Sequence, residues 1–113
     1  VRAACEQCGR NRVPEVAAPQ PLDHWLASLA RPPAANETRF LLSPNSDVSL
    51  RAVARPAGRV ILLAGPEGGL TAAEMQLAQS CTFAPLRLGP RILRTETAGL
   101  AALAAIQALW GDF

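Results

Sequence analysis

The strongest constraint in this sequence is a short unit in which an apolar run, a glycine-rich loop and a helix start follow one another. The run at residues 59–64 (RVILLA) is short, β-branched at its start and stopped by glycine, which predicts a buried strand. Thr71-Ala-Ala-Glu74 is a capping box, in which hydroxyl and carboxylate satisfy reciprocal backbone donors. A helix is therefore predicted from Thr71 to about Ser80, directly after the loop.

Strands and helices alternate along the rest of the chain. Residues 39–43 and 83–88 are predicted strands, and residues 3–9 and 48–54 are predicted helices. A long Ala/Leu helix is predicted to open at Thr95 or Thr97, to reach Trp110 and to end at Gly111. A further helix has one apolar face, formed by Leu22, Trp25, Leu26 and Leu29. This alternation predicts an α/β fold, with a mostly parallel sheet and flanking helices.

Composition limits the class of protein without naming a partner. Half of the 113 residues are hydrophobic and 18% are charged, which suits one domain with a modest core. The net charge of +2 neither requires nor excludes nucleic acid. All eleven basic residues are arginine, whose guanidinium suits phosphates and base edges. A coding bias explains the same observation, because alanine and proline are also abundant.

The cysteines predict neither a metal site nor a disulfide scaffold. Cys5-x-x-Cys8 has zinc-ligand spacing, but a structural zinc site needs four ligands. Only Cys81 and His24 remain, and neither lies in a second paired motif. An odd cysteine count argues against a secreted scaffold, so reduced thiols in a cytoplasmic protein are predicted. No apolar run predicts a membrane span, and no signal peptide is predicted.

The loop Gly65-Pro66-Glu67-Gly68-Gly69 follows a predicted strand, at the end where open α/β sheets bind ligands. Its glycines permit positive φ and close approach of a ligand to the backbone. It lacks the ending of a phosphate-binding loop and the spacing of a dinucleotide fingerprint. A tight strand-to-helix turn explains the glycines equally well. Glu67 either orients a substrate amide or a partner arginine, or is an exposed acid favoured by the helix dipole.

A second loop, residues 88–98 (LGPRILRTETA), combines apolar residues with arginines and hydroxyls. Apolar walls with free backbone amides suit a flat heteroaromatic ring such as adenine. Arg91 and Arg94 add positive charge at the rim of such a site. For Thr95, Glu96 and Thr97, helix capping is the alternative explanation.

The two loops together resemble the signature pair of the ribosomal RNA small subunit methyltransferase E family. A third stretch, residues 6–11 (EQCGRN) with Pro14 after it, resembles another motif of that family, in which serine is more usual than Cys8. The resemblance implies a SPOUT-class α/β methyltransferase with a C-terminal trefoil knot and an obligate homodimer. It also implies that residues 1–113 are the C-terminal portion of that domain. The start at Val1, inside a predicted helix, agrees with an N-terminal PUA-like RNA-binding domain and a first half of the catalytic domain that lie outside this chain.

The family's reaction, as the resemblance implies it, is methylation of N3 of a uridine in 16S ribosomal RNA, with S-adenosylmethionine as donor and no metal. The N3 proton must leave, so the protein has to align and stabilise a uracil anion. Arg94 and Arg10 are expected to stabilise that charge, and Glu67 and Glu96 to orient the base or the arginines. No general base is identified. The implied cofactor site consists of Leu42, Ser43, Gly65, Pro66, Glu67, Gly68, Gly69, Leu88, Gly89, Ile92, Leu93 and Arg94.

Two other functions stay open. The first is a SPOUT enzyme that methylates a ribose 2′-hydroxyl. Such relatives usually carry asparagine and serine where this chain has Arg94 and Glu96, which favours the base methylase. The second is a non-catalytic fragment or dimerisation module that binds the cofactor poorly.

Overall fold

A computed structural model describes residues 1–29 and 31–113. In this part of the chain the strands are β1 (Glu37–Leu42), β2 (Arg59–Leu63) and β3 (Ala84–Leu86), which form one parallel sheet in the order β2-β1-β3. The predicted α/β fold, with a parallel sheet and flanking helices, is confirmed. The helices are α1 (Arg2–Gln7), α2 (Leu22–Ser28), α3 (Ala72–Ser80) and α4 (Thr95–Trp110).

One face of the sheet is covered by α2 and α3. Leu41 of β1 and Ile61 of β2 are buried on this face, against Leu26 of α2 and Ala78 of α3. Phe83, just before β3, completes the cluster. The predicted apolar face of α2 packs here as a unit, through Leu22, Trp25, Leu26 and Leu29.

The opposite face of the sheet is covered by α4. Side chains alternate along a strand, so Phe40 and Leu86 point away from the first cluster. They are buried against Ile106 and Trp110 of α4, and the ring centroids of Phe40 and Trp110 are 6.5 Å apart. The result is a three-layer arrangement in which helices protect both faces of the parallel sheet.

The N-terminal half of β1 contains a buried ion pair. The Arg39 guanidinium lies 2.6 Å from a carboxylate oxygen of Glu37, and the two side chains are 1% and 10% exposed. Arg39 Nη1 also donates to the backbone oxygen of Cys81 at 2.8 Å. The strand was predicted to begin at Arg39, but it begins at Glu37, which pairs with Arg59 of β2.

The connection after β1 crosses the end of β3. Ser43 N donates to Leu86 O at 2.9 Å, whereas Arg87 N donates to Val48 O at 2.8 Å and Leu50 N donates to Arg87 O at 3.0 Å. Successive residues of a strand direct their backbone groups to opposite edges. Residues 84–87 therefore lie between β1 on one edge and residues 48–50 on the other, and residues 43–47 form a crossing segment between these two edges.

A further local prediction is wrong. Residues 48–54 do not form a helix, because residues 48–50 pair with Arg87 and only Leu50–Ala52 makes one 3₁₀ turn. Helix α4 opens at Thr95, as predicted, but neither threonine caps it, because the N-cap residue is Arg94, whose backbone oxygen accepts from the amides of Thr97 and Ala98. By contrast, the capping box at Thr71 is present as predicted.

The described residues contain no group of three or more His, Cys, Asp or Glu side chains that could hold a metal ion. The three cysteines are free, with Cys5 and Cys81 buried and Cys8 exposed. Across residues 1–29 and 31–113, no helix is long and apolar enough to cross a membrane.

Candidate functional site

A cavity of about 530 Å³ opens at the edge of the sheet where all three strands end. Its volume is within the range of small-molecule sites. Each wall is one of the segments that follow β1, β2 and β3, and the first turns of α3 and α4 complete it. The lining residues are 41–45, 64–70, 75, 86, 88, 89, 91–95 and 98.

The glycine loop after β2 makes one wall. Gly69 N donates to Pro66 O at 2.9 Å, which closes a four-residue turn with Glu67 and Gly68 at its centre. Gly68 has φ +89°, as position i+2 of a type II turn requires, and Gly69 has φ +83°. At both glycines the space where a β-carbon would stand is open. A ligand can therefore approach the backbone of this turn closely.

The ends of the same loop are drawn together. A β-carbon on Gly65 would lie 3.1 Å from the backbone nitrogen of Leu70, so the loop folds back tightly on the end of β2. Thr71 then begins the capping box, with Thr71 N donating to Glu74 Oε2 at 2.8 Å and Glu74 N donating to Thr71 Oγ1 at 3.2 Å. The loop is thus fixed at both ends, and its tip carries Glu67.

The segment after β3 makes the opposite wall, and it is open to solvent. Ile92 is 80% exposed and Leu93 is 36% exposed, although both line the cavity. Arg94 and Glu96 approach only to 4.0 Å, with side chains 83% and 67% exposed. Such an exposed pair stabilises a conformation weakly. The Arg94 guanidinium is therefore accessible at the rim rather than held by its neighbour.

A comparison with protein families matches residues 1–107 to the RNA methyltransferase domain. The chain belongs to this family.

Individual RNA methyltransferases agree with this match. The chain is 38% identical to the ribosomal RNA small subunit methyltransferase E of Buchnera aphidicola subsp. Schizaphis graminum, over 99% of this chain and 44% of that protein. The chain is also 38% identical to the same-named protein of Bacillus subtilis, over 93% of this chain and 43% of that protein. The chain thus spans less than half the length of these relatives. The resemblance drawn from the three motifs is confirmed.

Solved structures of the family have the same fold. A ribosomal RNA small subunit methyltransferase E from Neisseria gonorrhoeae, bound to S-adenosylmethionine, superposes with a TM-score of 0.87 at 43% identity, over 98% of this chain and 45% of that one. A putative methyltransferase from Legionella pneumophila, in complex with the same cofactor, has a TM-score of 0.85 at 40% identity, over 98% of this chain and 44% of that one.

The structure of this RNA methyltransferase domain gathers most of the predicted site residues. All twelve predicted cofactor residues line the cavity, and Glu67 and Arg94 are among them. Arg10 and Glu96 are not among the described residues that line it. Arg10 lies on an exposed turn after α1, and Glu96 points to solvent from the first turn of α4. His24 is exposed on α2 and is not among the described residues that line the cavity.

Several lining residues were not among the predicted cofactor contacts, and Asn45 and Met75 are the two that add new side-chain chemistry. Asn45 lies three residues beyond β1, and its position after a predicted strand was the available signal. Met75 lies one helical turn after Thr71 and reaches the cavity from α3. Together with the apolar second loop, these residues form a largely apolar chamber. Arg91, Arg94 and Glu67 are its charged groups, which suits a ligand with an aromatic part and a polar part.

Proposed function

We propose that this chain provides the S-adenosylmethionine-binding part of an enzyme that methylates N3 of a uridine in 16S ribosomal RNA. The observation that carries the proposal is the cavity, because both signature loops form its walls. The cofactor-bound relatives, each similar over 98% of this chain, support the choice of ligand. On this proposal residues 1–113 are the C-terminal portion of a SPOUT methyltransferase domain, and the PUA-like domain and the first half lie outside it.

The residues of the cavity fit this cofactor. Open backbone at Gly68, Gly69 and Gly89 suits the polar amino-acid and ribose groups, because a β-carbon there would meet nothing within 4 Å. The other two walls carry apolar side chains that suit an adenine ring, namely Leu42, Leu88, Ile92 and Leu93. The remaining proposed contacts are Ser43, Gly65, Pro66, Glu67 and Arg94. When bound, the cofactor supplies an activated methyl group on its sulfonium, so the proposed reaction needs no metal.

The chain's own task in the reaction is to position uracil and to stabilise its negative charge after the N3 proton has left. Arg94 is the residue proposed for charge stabilisation, because its guanidinium is accessible at the rim of the cavity. Glu67 is proposed to orient the base or an arginine from the tip of the glycine loop. The predicted roles of Arg10 in charge stabilisation and of Glu96 in orienting the base or an arginine stay predictions.

A homodimer is part of the proposal, and the outer face of α4 supports it. Leu100 is 71% exposed and Leu103 is 56% exposed on this helix, and Ala104 and Ala108 are exposed on the same side. Contiguous exposed apolar side chains are a feature of interaction surfaces. The same proposal places this protein in the cytoplasm, because its proposed substrate is ribosomal RNA. The implied knot also stays a proposal, and the pairing of residues 84–87 on both edges supports it.

Product analysis tests the proposed reaction. The intact protein is incubated with S-adenosylmethionine and small ribosomal subunits that lack the modification, and the RNA is digested to nucleosides for mass spectrometry. We expect N3-methyluridine. Formation of 2′-O-methyluridine would instead support the ribose methylase, and absence of both products together with absent cofactor binding would support a non-catalytic module. The Gly68→Val variant is the matched negative control.

A further inference from the structure

We propose that Ser46 is a positioning residue, whose hydroxyl fixes the crossing segment as a rigid wall of the cofactor cavity. This inference deepens the proposed function and rests on it. Ser46 is not among the residues that line the cavity. It is 9% exposed and lies near the end of residues 43–47, directly after the lining residues Ser43, Pro44 and Asn45.

The Ser46 hydroxyl joins both sides of the crossing. Its oxygen lies 3.0 Å from Pro85 O, to which it donates, and it accepts from Val48 N at 3.1 Å. Its distance to Val48 O is longer, at 3.4 Å. The backbone nitrogen of Ser46 also donates to Ser43 O at 3.2 Å. Ser46 thus makes hydrogen bonds within the crossing segment, to Pro85 of β3, and to Val48 in the segment that pairs with the outer edge of β3.

The hydroxyl is suited to its place because of Pro85. The backbone groups of Leu86 point towards β1 and those of Arg87 point to the outer edge, so Pro85 O also points outward. Proline has no backbone N–H, so its carbonyl is the only main-chain polar group that needs a partner there. Ser46 supplies that partner just before the backbone pairing between Arg87 and Val48 begins. An apolar side chain at position 46 would leave the half-buried Pro85 carbonyl without this hydrogen bond.

The consequence for the cavity is preorganisation. Ser43 is held by its own N–H bond to Leu86 O, and Ser46 holds the other end of the same short segment. Pro44 and Asn45 are exposed between these two anchors and line the cavity. With Ser46 in place the wall is ordered before a ligand binds. Without the Ser46 hydroxyl, the wall must become ordered when the cofactor binds. The free-energy cost of that ordering lowers the affinity for the cofactor.

The test compares Ser46→Ala, Ser46→Thr and Ser80→Ala in the intact protein by calorimetric titration with S-adenosylmethionine. Ser80 is the matched control, because its exposed hydroxyl bonds Leu77 O in the last turn of α3, away from the cavity. We expect Ser46→Ala to raise Kd about tenfold, which corresponds to about 1.4 kcal/mol. We expect Ser46→Thr, which keeps the hydroxyl, to restore most of that loss and Ser80→Ala to leave Kd unchanged. If Ser46→Ala does not fold, Ser46→Cys keeps the volume and weakens the hydrogen bond.

Amide hydrogen exchange without ligand separates this inference from the proposed function. Ser46→Ala is expected to accelerate exchange at Ser46 and Val48, while the amides of β1 keep their protection. Unchanged exchange at these two amides, or an unchanged Kd in Ser46→Ala, would overturn the positioning role. If the wild-type protein binds no S-adenosylmethionine, the proposed function fails. The role of Ser46 in a cofactor site then fails with it. Exchange data would still report separately whether the Ser46 hydroxyl anchors the crossing segment.

Discussion

The backbone nitrogen of Leu70 lies 3.1 Å from the point where a β-carbon on Gly65 would stand. This close approach brings together the two ends of the loop between β2 and α3. The turn closed by Gly69 N and Pro66 O shapes its tip, and the capping box at Thr71 fixes its exit. The loop therefore has its shape before a ligand arrives, which lowers the cost of ordering it on binding.

Gly65→Ala is predicted to weaken S-adenosylmethionine binding about tenfold, equivalent to about 1.4 kcal/mol. The added methyl group pushes against Leu70, so the end of the loop must shift by a few tenths of an ångström. Calorimetric titration measures the change. Gly99→Ala is the control, because a β-carbon at Gly99 meets nothing within 4 Å and helix α4 should gain about 0.5–1 kcal/mol from alanine. Equal Kd values for Gly65→Ala and wild type would show that the tight fold of the loop is not needed.

Gly68→Val is predicted to abolish measurable S-adenosylmethionine binding. Gly68 has φ +89°, a conformation that a β-branched residue adopts only with strain. Gly68→Asn is the informative partner variant, because asparagine tolerates the left-handed region far better. Calorimetry should find binding in Gly68→Asn that is clearly tighter than in Gly68→Val. The backbone explanation is wrong if both variants bind equally, whether tightly or weakly.

Arg94→Ala is predicted to lower turnover about 100-fold, as loss of one group that stabilises developing negative charge does. Its guanidinium is 83% exposed at the cavity rim, and its 4.0 Å contact with Glu96 is weak, so the variant should fold normally. Methyl incorporation into RNA measures turnover, and calorimetry measures cofactor affinity separately. Arg55→Ala removes an arginine near the opposite end of α4 and serves as the control. Unaltered turnover in Arg94→Ala would rule out the proposed catalytic role.

Glu37→Ala is predicted to lower the free energy of unfolding by about 3–5 kcal/mol, because it leaves the buried Arg39 guanidinium without its carboxylate. Glu96→Ala is the matched comparison. Its exposed pair with Arg94 should cost less than about 1 kcal/mol when broken. Denaturant unfolding of both variants measures the difference. Similar losses in the two variants would contradict the distinction between a buried and an exposed pair.

If the proposed homodimer forms through α4, Leu103→Glu is predicted to convert it into a monomer, because a charge is placed on the apolar outer face of α4, where Leu103 is 56% exposed. Sedimentation velocity measures the mass of the protein in solution. Val16→Glu, at a position 76% exposed in the connection before α2, introduces the same charge away from α4. A Leu103→Glu protein that remains a dimer would place the interface on another surface.

Local sequence signals predicted the strand, loop and helix at residues 59–80 because each part is encoded nearby. The apolar run marks β2, the glycines mark positive φ, and Thr71 with Glu74 marks the start of α3. The apolar spacing of α2 also predicted which of its residues pack against the core, with Leu26 fully buried at the centre of that face. Where local encoding is strong, sequence and structure agree.

Non-local pairing explains the errors. Residues 48–50 have a helix-like pattern but pair with Arg87, which is far away in the sequence. β1 begins earlier than its apolar run because a buried ion pair extends it, and hydrophobicity does not report such a pair. The order β2-β1-β3 depends on which strand crosses to which edge. The tertiary fold also explains why Arg10, which the motif resemblance placed in the site, is not among the described residues that line the cavity.

The most direct test of the central claim is a titration of the isotopically labelled protein with S-adenosylmethionine, followed through its backbone amide resonances. The account predicts shifts confined to the residues that form the cavity and their immediate neighbours, at residues 41–46, 64–71, 75 and 86–98. The groove of about 550 Å³ lined by Arg55, Val60 and Trp110 should not respond. Shifts centred on that groove, or no shifts at a saturating cofactor concentration, would contradict the assignment of the cavity.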